Sequence, residues 1–138
     1  TPKKTLNPGN KLAWRIYDKR GKATADLLTV DGEDVRGKDV LRLRHPSDIS
    51  KLRIMKGEDI SAIEPLLVTV LDEGKLVCDL PSIEDMRTLR ISDIERLDPG
   101  VRRIMNPHFY HVSLSEKLWS LKHDLIHSVE SGEGKTIP

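Results

Sequence analysis

The sequence has 138 residues, 37% of them hydrophobic, and balances 23 basic against 22 acidic side chains for a formal net charge of +1. No stretch approaches the ~18 consecutive apolar residues of a membrane span, so one soluble domain is expected, with no global field toward nucleic acid or an anionic membrane. The single cysteine, Cys78, excludes an internal disulfide and fits a reducing compartment, with the cytoplasm as the default location.

The chain begins Thr1-Pro2-Lys3-Lys4 without a methionine and without an apolar signal run, which suits a processed product or an excised piece. Asn7-Pro8-Gly9-Asn10 is a turn signal. After it, Leu12, Trp14 and Ile16 alternate with Lys11, Ala13 and Arg15, the period of a half-buried strand. Asp18-Lys19-Arg20-Gly21 predicts a hairpin turn into a return strand over residues 22–30, whose end reads as buried on both faces. Residues 40–45 read as a third short strand, stopped at His45-Pro46, and residues 52–54 could add a fourth.

From Ile60 the apolar run to Leu71, a turn at Asp72-Glu73-Gly74 and a return through residues 75–80 predict a second hairpin. Pro65 cannot donate to a ladder, so an edge or a bulge is expected there, whereas residues 66–71 read as central. At Ser82 the period lengthens toward 3.6. Ser82 caps a helix with Glu84 and Asp85 in its first turn and Ile83, Met86, Leu89, Ile94 and Leu97 on its inner face. Asp98-Pro99 predicts a short second helix through Ile104, ended by Asn106-Pro107.

The last helix starts at Ser113, three residues before Glu116, the spacing of a capping box. Leu114, Leu118, Leu121, Leu125 and Val129 place one apolar face on it, widened by Trp119 and Ile126, which makes it the lid of a sheet. The fold class is α+β: a mostly antiparallel sheet of two hairpins plus short strands, covered by two to three C-terminal helices. One domain spans residues 1–130, with a frayed tail over 131–138.

Chemistry-bearing residues assemble poorly. His123 and His127 share a helix face with Asp124 between them, imitating a zinc-protease helix. The shorter Asp would fall back from a metal-bound water, and no third ligand follows. His108 and His111 enrich the cluster in sequence, but the Asn106-Pro107 turn aims them elsewhere. Cys78, with His45 or His111 as a partner, reads as a small hydrophobe in a strand rather than a nucleophile. Arg87, Arg90, Arg102 and Arg103, with Phe109 and Tyr110 as stacking rings, could serve single-stranded nucleic acid. Interspersed Glu84, Asp85, Asp93 and Glu95 instead describe a mixed solvated face, with the two rings plugging a gap between sheet and helix. No catalytic, cofactor-binding or metal residue is assigned.

Several ordered blocks carry a resemblance. Pro2-x-Lys4-x-x-x-Pro8-Gly9-x-Lys11, Tyr17-Asp18-Lys19-x-Gly21-Lys22-Ala23-x-Ala25-Asp26-Leu27 and Glu64-Pro65-Leu66-Leu67 are similar to the C-terminal region of nicotinate phosphoribosyltransferases. So are Leu80-Pro81-Ser82-Ile83-Glu84, Asn106-Pro107-His108-x-Tyr110-x-Val112 and Leu114-Ser115-Glu116-Lys117-Leu118-Trp119. The resemblance implies an accessory C-terminal domain that is inactive alone. It belongs with a NAD-salvage enzyme joining nicotinate to phosphoribosyl pyrophosphate with ATP hydrolysis. The implied partner is the catalytic barrel of the same enzyme or of its dimer mate, with no nucleic acid and no membrane. The resemblance places the catalytic residues in the N-terminal region and the barrel, implies ATP and phosphoribosyl pyrophosphate for the full-length enzyme, and implies no cofactor on this chain. The alternative is an independent module binding nucleic acid or protein.

Overall fold

A computed structural model of the chain describes Asn7 and residues 9–132. In order, the elements are β1 (Lys11–Asp18), β2 (Ala23–Val30), β3 (Val40–Arg44), β4 (Leu52–Lys56), β5 (Ile60–Pro65), β6 (Leu71–Asp72), β7 (Lys75–Leu76), α1 (Ile83–Glu95), β8 (His111–Leu114) and α2 (Glu116–Glu130). Six strands form one sheet in the order β4-β3-β8-β2-β1-β5, antiparallel except where β2 runs beside β8. The strands β6 and β7 pair only with each other.

This sheet has to curl. Laid flat, its edge strands β4 and β5 would stand about 24 Å apart at ~4.8 Å per strand. Yet only the 3-10 turn Gly57–Asp59 separates them, and a link of that length reaches at most about 14 Å. Curling gives the sheet a concave face, and the pairing register says which residues line it. Trp14 lies opposite Leu27, Ile16 opposite Ala25 and Ile63, and Leu41 opposite Met55. All of these belong to one cluster with Val35, Leu43 and the flanking Leu12 and Ile60. Met55 and Ile63 come from opposite edges of the sheet, so the core is enclosed by the sheet wrapping on itself. The one buried polar pair in its wall is closed internally: the Trp14 indole N–H donates to Thr29 Oγ1 at 2.9 Å.

On the convex face, Leu28 and Leu114 lie side by side and Arg44 is opposite Leu114. Here α2 packs across β2 and β3, as a lid, with Leu118 fully buried. Its cap is Ser115, whose Oγ accepts the Leu118 N–H at 3.2 Å, rather than Ser113. Ser113 is taken by β8, opposite Leu27. Glu116 is thereby the first helical residue and no longer part of a capping box; it pairs with Arg44 at 2.7 Å. The buried positions of α2 are Leu118, Lys122 and Ser128, while Val129 is exposed, so the covered stripe is rotated from the expected one. Lys122 is buried because its ammonium donates to the Pro46 carbonyl at 2.8 Å, strapping the β3–β4 turn onto the helix.

Other expectations divide. Pro65 does end an edge strand. The turn at Glu73-Gly74 is present with both residues at positive φ, 47° and 79°, the backbone of a two-residue hairpin loop. Residues 66–70 are not a central strand: they form no strand, and Leu67, Val68, Val70 and Leu71 are exposed. The end of β2 is buried on one face only, since Leu28 and Val30 are half-buried. Ser82 and Asp85 form the predicted cap of α1 as a reciprocal capping box. The helix itself buries none of its residues, against the expected inner face of Ile83, Met86, Leu89 and Ile94.

Residues 99–104 are turns instead of a second helix. Asp98 Oδ1 accepts the Gly100 N–H at 2.8 Å, and the His108 ring lies so close to Gly100 that a Cβ would overlap it. Residues 1–6, Pro8 of the predicted turn and all of the expected frayed tail past Gly132 lie outside the described residues.

Two substitutions test this architecture. Leu118→Asp places an unpaired charge beneath the lid and is expected to cost on the order of 3–5 kcal/mol, read as a lowered urea midpoint. Gly57→Ala drives a Cβ into the Lys38 carbonyl at the closing turn, whose N–H donates to Asp39 O at 2.6 Å. It is expected to cost about 1–3 kcal/mol in the same measurement.

Candidate functional site

Titratable groups converge on the part of the convex face that α2 does not cover. Arg15 of β1 lies opposite Asp26 of β2, and its guanidinium makes a bidentate pair with that carboxylate at 2.9 and 3.0 Å. Tyr110, just before β8, donates its phenol to the same carboxylate at 2.8 Å, and Asp93 of α1 approaches Arg15 at 4.0 Å. Beside this lies a second group. The Tyr17 phenol donates to Glu64 Oε2 at 2.6 Å, Arg96 sits 4.1 Å over the Tyr17 ring, and Arg96 also reaches Glu64 at 3.6 Å.

These two groups root the whole segment between β5 and β8. Further polar ties hold the end of α1 and the turn after it. The Ala23 N–H donates to Arg96 O at 2.8 Å, Lys22 Nζ to Glu95 O at 2.9 Å, and Arg20 to Asp98 at 2.6 Å. The hydrogen bond to Asp26 raises the Arg15 pKa and fixes its charge, while the Arg44 hydrogen bond holds Glu116 below the usual carboxylate range. Burial, reinforced by Glu64, pushes the Tyr17 phenol up to about 12. Burial and the bond to Asp26 push Tyr110 higher still. Each group is committed to a structural partner. The chemistry available here is orientation, not proton transfer.

The other sequence candidates are scattered. The His123 ring lies tilted against Trp119 at 4.2 Å, and the Arg44 guanidinium sits over the same indole, also at 4.2 Å. His127 is exposed one turn on, and Asp124 borders a shallow groove with Val30, Glu33 and Leu121. His108 accepts from the Arg103 guanidinium, and His111 packs against Phe109 at 5.3 Å. Among the described residues no group of three or more His, Cys, Asp or Glu is placed to hold a metal ion.

His45 and His111 line one cavity of about 390 Å³ with Lys51 and Arg53, where β3 and β8 part after a single pairing. The His45 Nδ1 accepts N–H groups from Ser47 and Asp48, a turn-stabilising role. Cys78 does not line that cavity; it follows β7, half-buried and outside any strand. Arg87 pairs with Glu84 along α1 at 3.0 Å, and Phe109 points to solvent while Tyr110 turns inward, so the two rings form no stacking platform. Phe109 also plugs no gap. The acidic partners of Tyr17 and Tyr110 lay 47 and 84 residues away in sequence, beyond the reach of any local spacing rule.

Both tyrosines of the chain donate to carboxylates, which gives a pH signature. A raised phenol pKa favours the neutral folded form, so this stabilisation is complete below the free value of about 10 and is lost as pH rises through about 12. An ultraviolet titration of tyrosinate should therefore show almost no ionisation at the free value. The absorbance should rise only together with alkaline unfolding.

The nicotinate phosphoribosyltransferase C-terminal domain family matches residues 10–122. Human nicotinate phosphoribosyltransferase is 33% identical over 125 residues, which cover 90% of this chain and 22% of the human protein. Its counterpart in Bacillus subtilis is 28% identical over 131 residues, 94% of this chain and 26% of that protein. The crystal structure of human nicotinic acid phosphoribosyltransferase superposes with a TM-score of 0.76 at 30% identity, covering 88% of this chain and 24% of that one. The chain thus spans about a quarter of the length of the relatives it matches, and it belongs to the nicotinate phosphoribosyltransferase C-terminal domain family.

Proposed function

We propose that the chain serves as the accessory C-terminal domain of a nicotinate phosphoribosyltransferase, packed against the catalytic barrel of that enzyme and silent by itself. The complete enzyme joins nicotinate to the ribose of phosphoribosyl pyrophosphate, coupled to ATP hydrolysis, and releases nicotinate mononucleotide and pyrophosphate. This is the first step of NAD salvage, carried out in the cytoplasm. ATP and phosphoribosyl pyrophosphate bind to the barrel, and no residue of this chain takes a role in the transfer.

The observation that carries this reading is the fraction of each relative that the domain represents, 22% of the human protein and 26% of the Bacillus subtilis one. The side-chain chemistry supports it. Phosphoribosyl transfer needs cationic groups free to bind phosphate and pyrophosphate. Of the cationic groups gathered at the site, Arg15, Arg20 and Arg96 are engaged by carboxylates of the same chain. No helix of the described residues is long and apolar enough to cross a membrane.

The purified 138-residue chain, supplied with nicotinate, phosphoribosyl pyrophosphate and ATP, is expected to release no pyrophosphate above the protein-free rate. Turnover by this chain alone would overturn the reading.

A further inference from the structure

The segment between β5 and β8 folds into ordinary secondary structure yet sends nothing into the core. None of the buried hydrophobic residues comes from it, whereas it supplies most of the exposed large ones, with Ile104 98% and Phe109 82% exposed. A capped helix of 13 residues is marginal in water unless a face is packed, and the two-residue strands β6 and β7 are too short to stand alone. The apolar residues of α1, Ile83, Met86, Leu89, Ile91 and Ile94, are spread around the helix rather than confined to one stripe. All five are exposed, so this domain gives the helix no packed face. The root of the segment is polar and turned to the sheet, through Asp93 with Arg15 and Tyr110 with Asp26, and the exposed apolar side chains are left uncovered by this domain.

We propose that this outward surface, formed by α1, the β6–β7 hairpin and residues 104–109, is where the rest of the same nicotinate phosphoribosyltransferase chain docks. The inference rests on the accessory-domain reading and adds to it the face that is used. Relatives carry the domain as about a quarter of a longer polypeptide, so the tethered remainder is present at a millimolar effective concentration that a second copy of the domain does not reach. The matching surface on that remainder is apolar. Large apolar side chains left exposed in this number within one segment point to an interface.

The chain's three methionines supply the test without mutation. Met55 is buried in the core, while Met86 and Met105 are 52% and 77% exposed on the proposed surface. In the longer protein, mild peroxide treatment followed by peptide mass spectrometry should find Met86 and Met105 oxidised at least about tenfold more slowly than free methionine, close to Met55, because sulfoxide formation follows exposure. Oxidation of both at the rate of free methionine overturns the proposal. Protection that disappears on dilution also overturns it, by assigning the surface to a second copy. Leu89→Asp in the longer protein should restore fast oxidation of Met86; unchanged protection places α1 outside the interface and overturns the proposal as well.

Nicotinate turnover by the same preparation separates the two claims. Turnover with unprotected methionines removes the docking face alone. Protection in a protein without turnover removes the parent-enzyme reading alone.

Discussion

The three residues Gly57–Asp59 tie the two edges of the sheet together, and the rest of the domain follows from that tether. It forces curvature, curvature defines an inside, and the alternation of side chains along each strand then sorts residues between a filled concave face and a convex one. Curling also removes most of the hazard of open strand edges, because the strands best placed to recruit another chain are turned toward each other. At the tether the backbone approaches Lys38 and Asp39 so closely that only a residue without Cβ fits.

The convex face is completed in two ways that differ physically. Over β2 and β3 it is closed by α2, with Leu118 as the buried apolar contact and Lys122 as a polar strap. Over β1 and β5 no helix lies flat, and side chains that would be solvated elsewhere satisfy one another. Partly desolvated pairs of this kind are worth more than exposed ion pairs because the carboxylate has several donors and the guanidinium binds in two-point geometry. Their value here is directional. They fix where the segment after β5 leaves the sheet and where it returns.

Local periodicity made much of this legible. The β1–β2 hairpin, the edge position of Pro65, the Glu73-Gly74 turn, the Ser82 cap and the lid role of α2 each follow from a signal confined to a few residues. What was illegible depends on partners distant in sequence. An apolar residue announces that it will be buried but not by what, so residues 66–71 and α1 read as core although this domain covers neither. The Ser113 cap was displaced because β2 claimed residues 111–114 as a neighbouring strand, a choice made by tertiary pairing. The Arg15–Asp26–Tyr110 cluster needed three elements brought together. The ordered sequence blocks identified the family where no single motif did.

The placement of β8 has a temporal consequence. It sits in the middle of the sheet, between β3 and β2, although it is the last of the described strands and pairs with β2 from more than eighty residues away. Until residue 114 is available, β4-β3 and β2-β1-β5 are two separate ribbons sharing no hydrogen-bonded neighbour. Loop-closure entropy must be met before their union gains anything. In a longer protein made from its N-terminus, every residue preceding this domain has left the ribosome before the sheet becomes continuous. Any partner of the β5–β8 surface that lies N-terminal to this domain in such a protein is therefore synthesised before that surface is fixed in place.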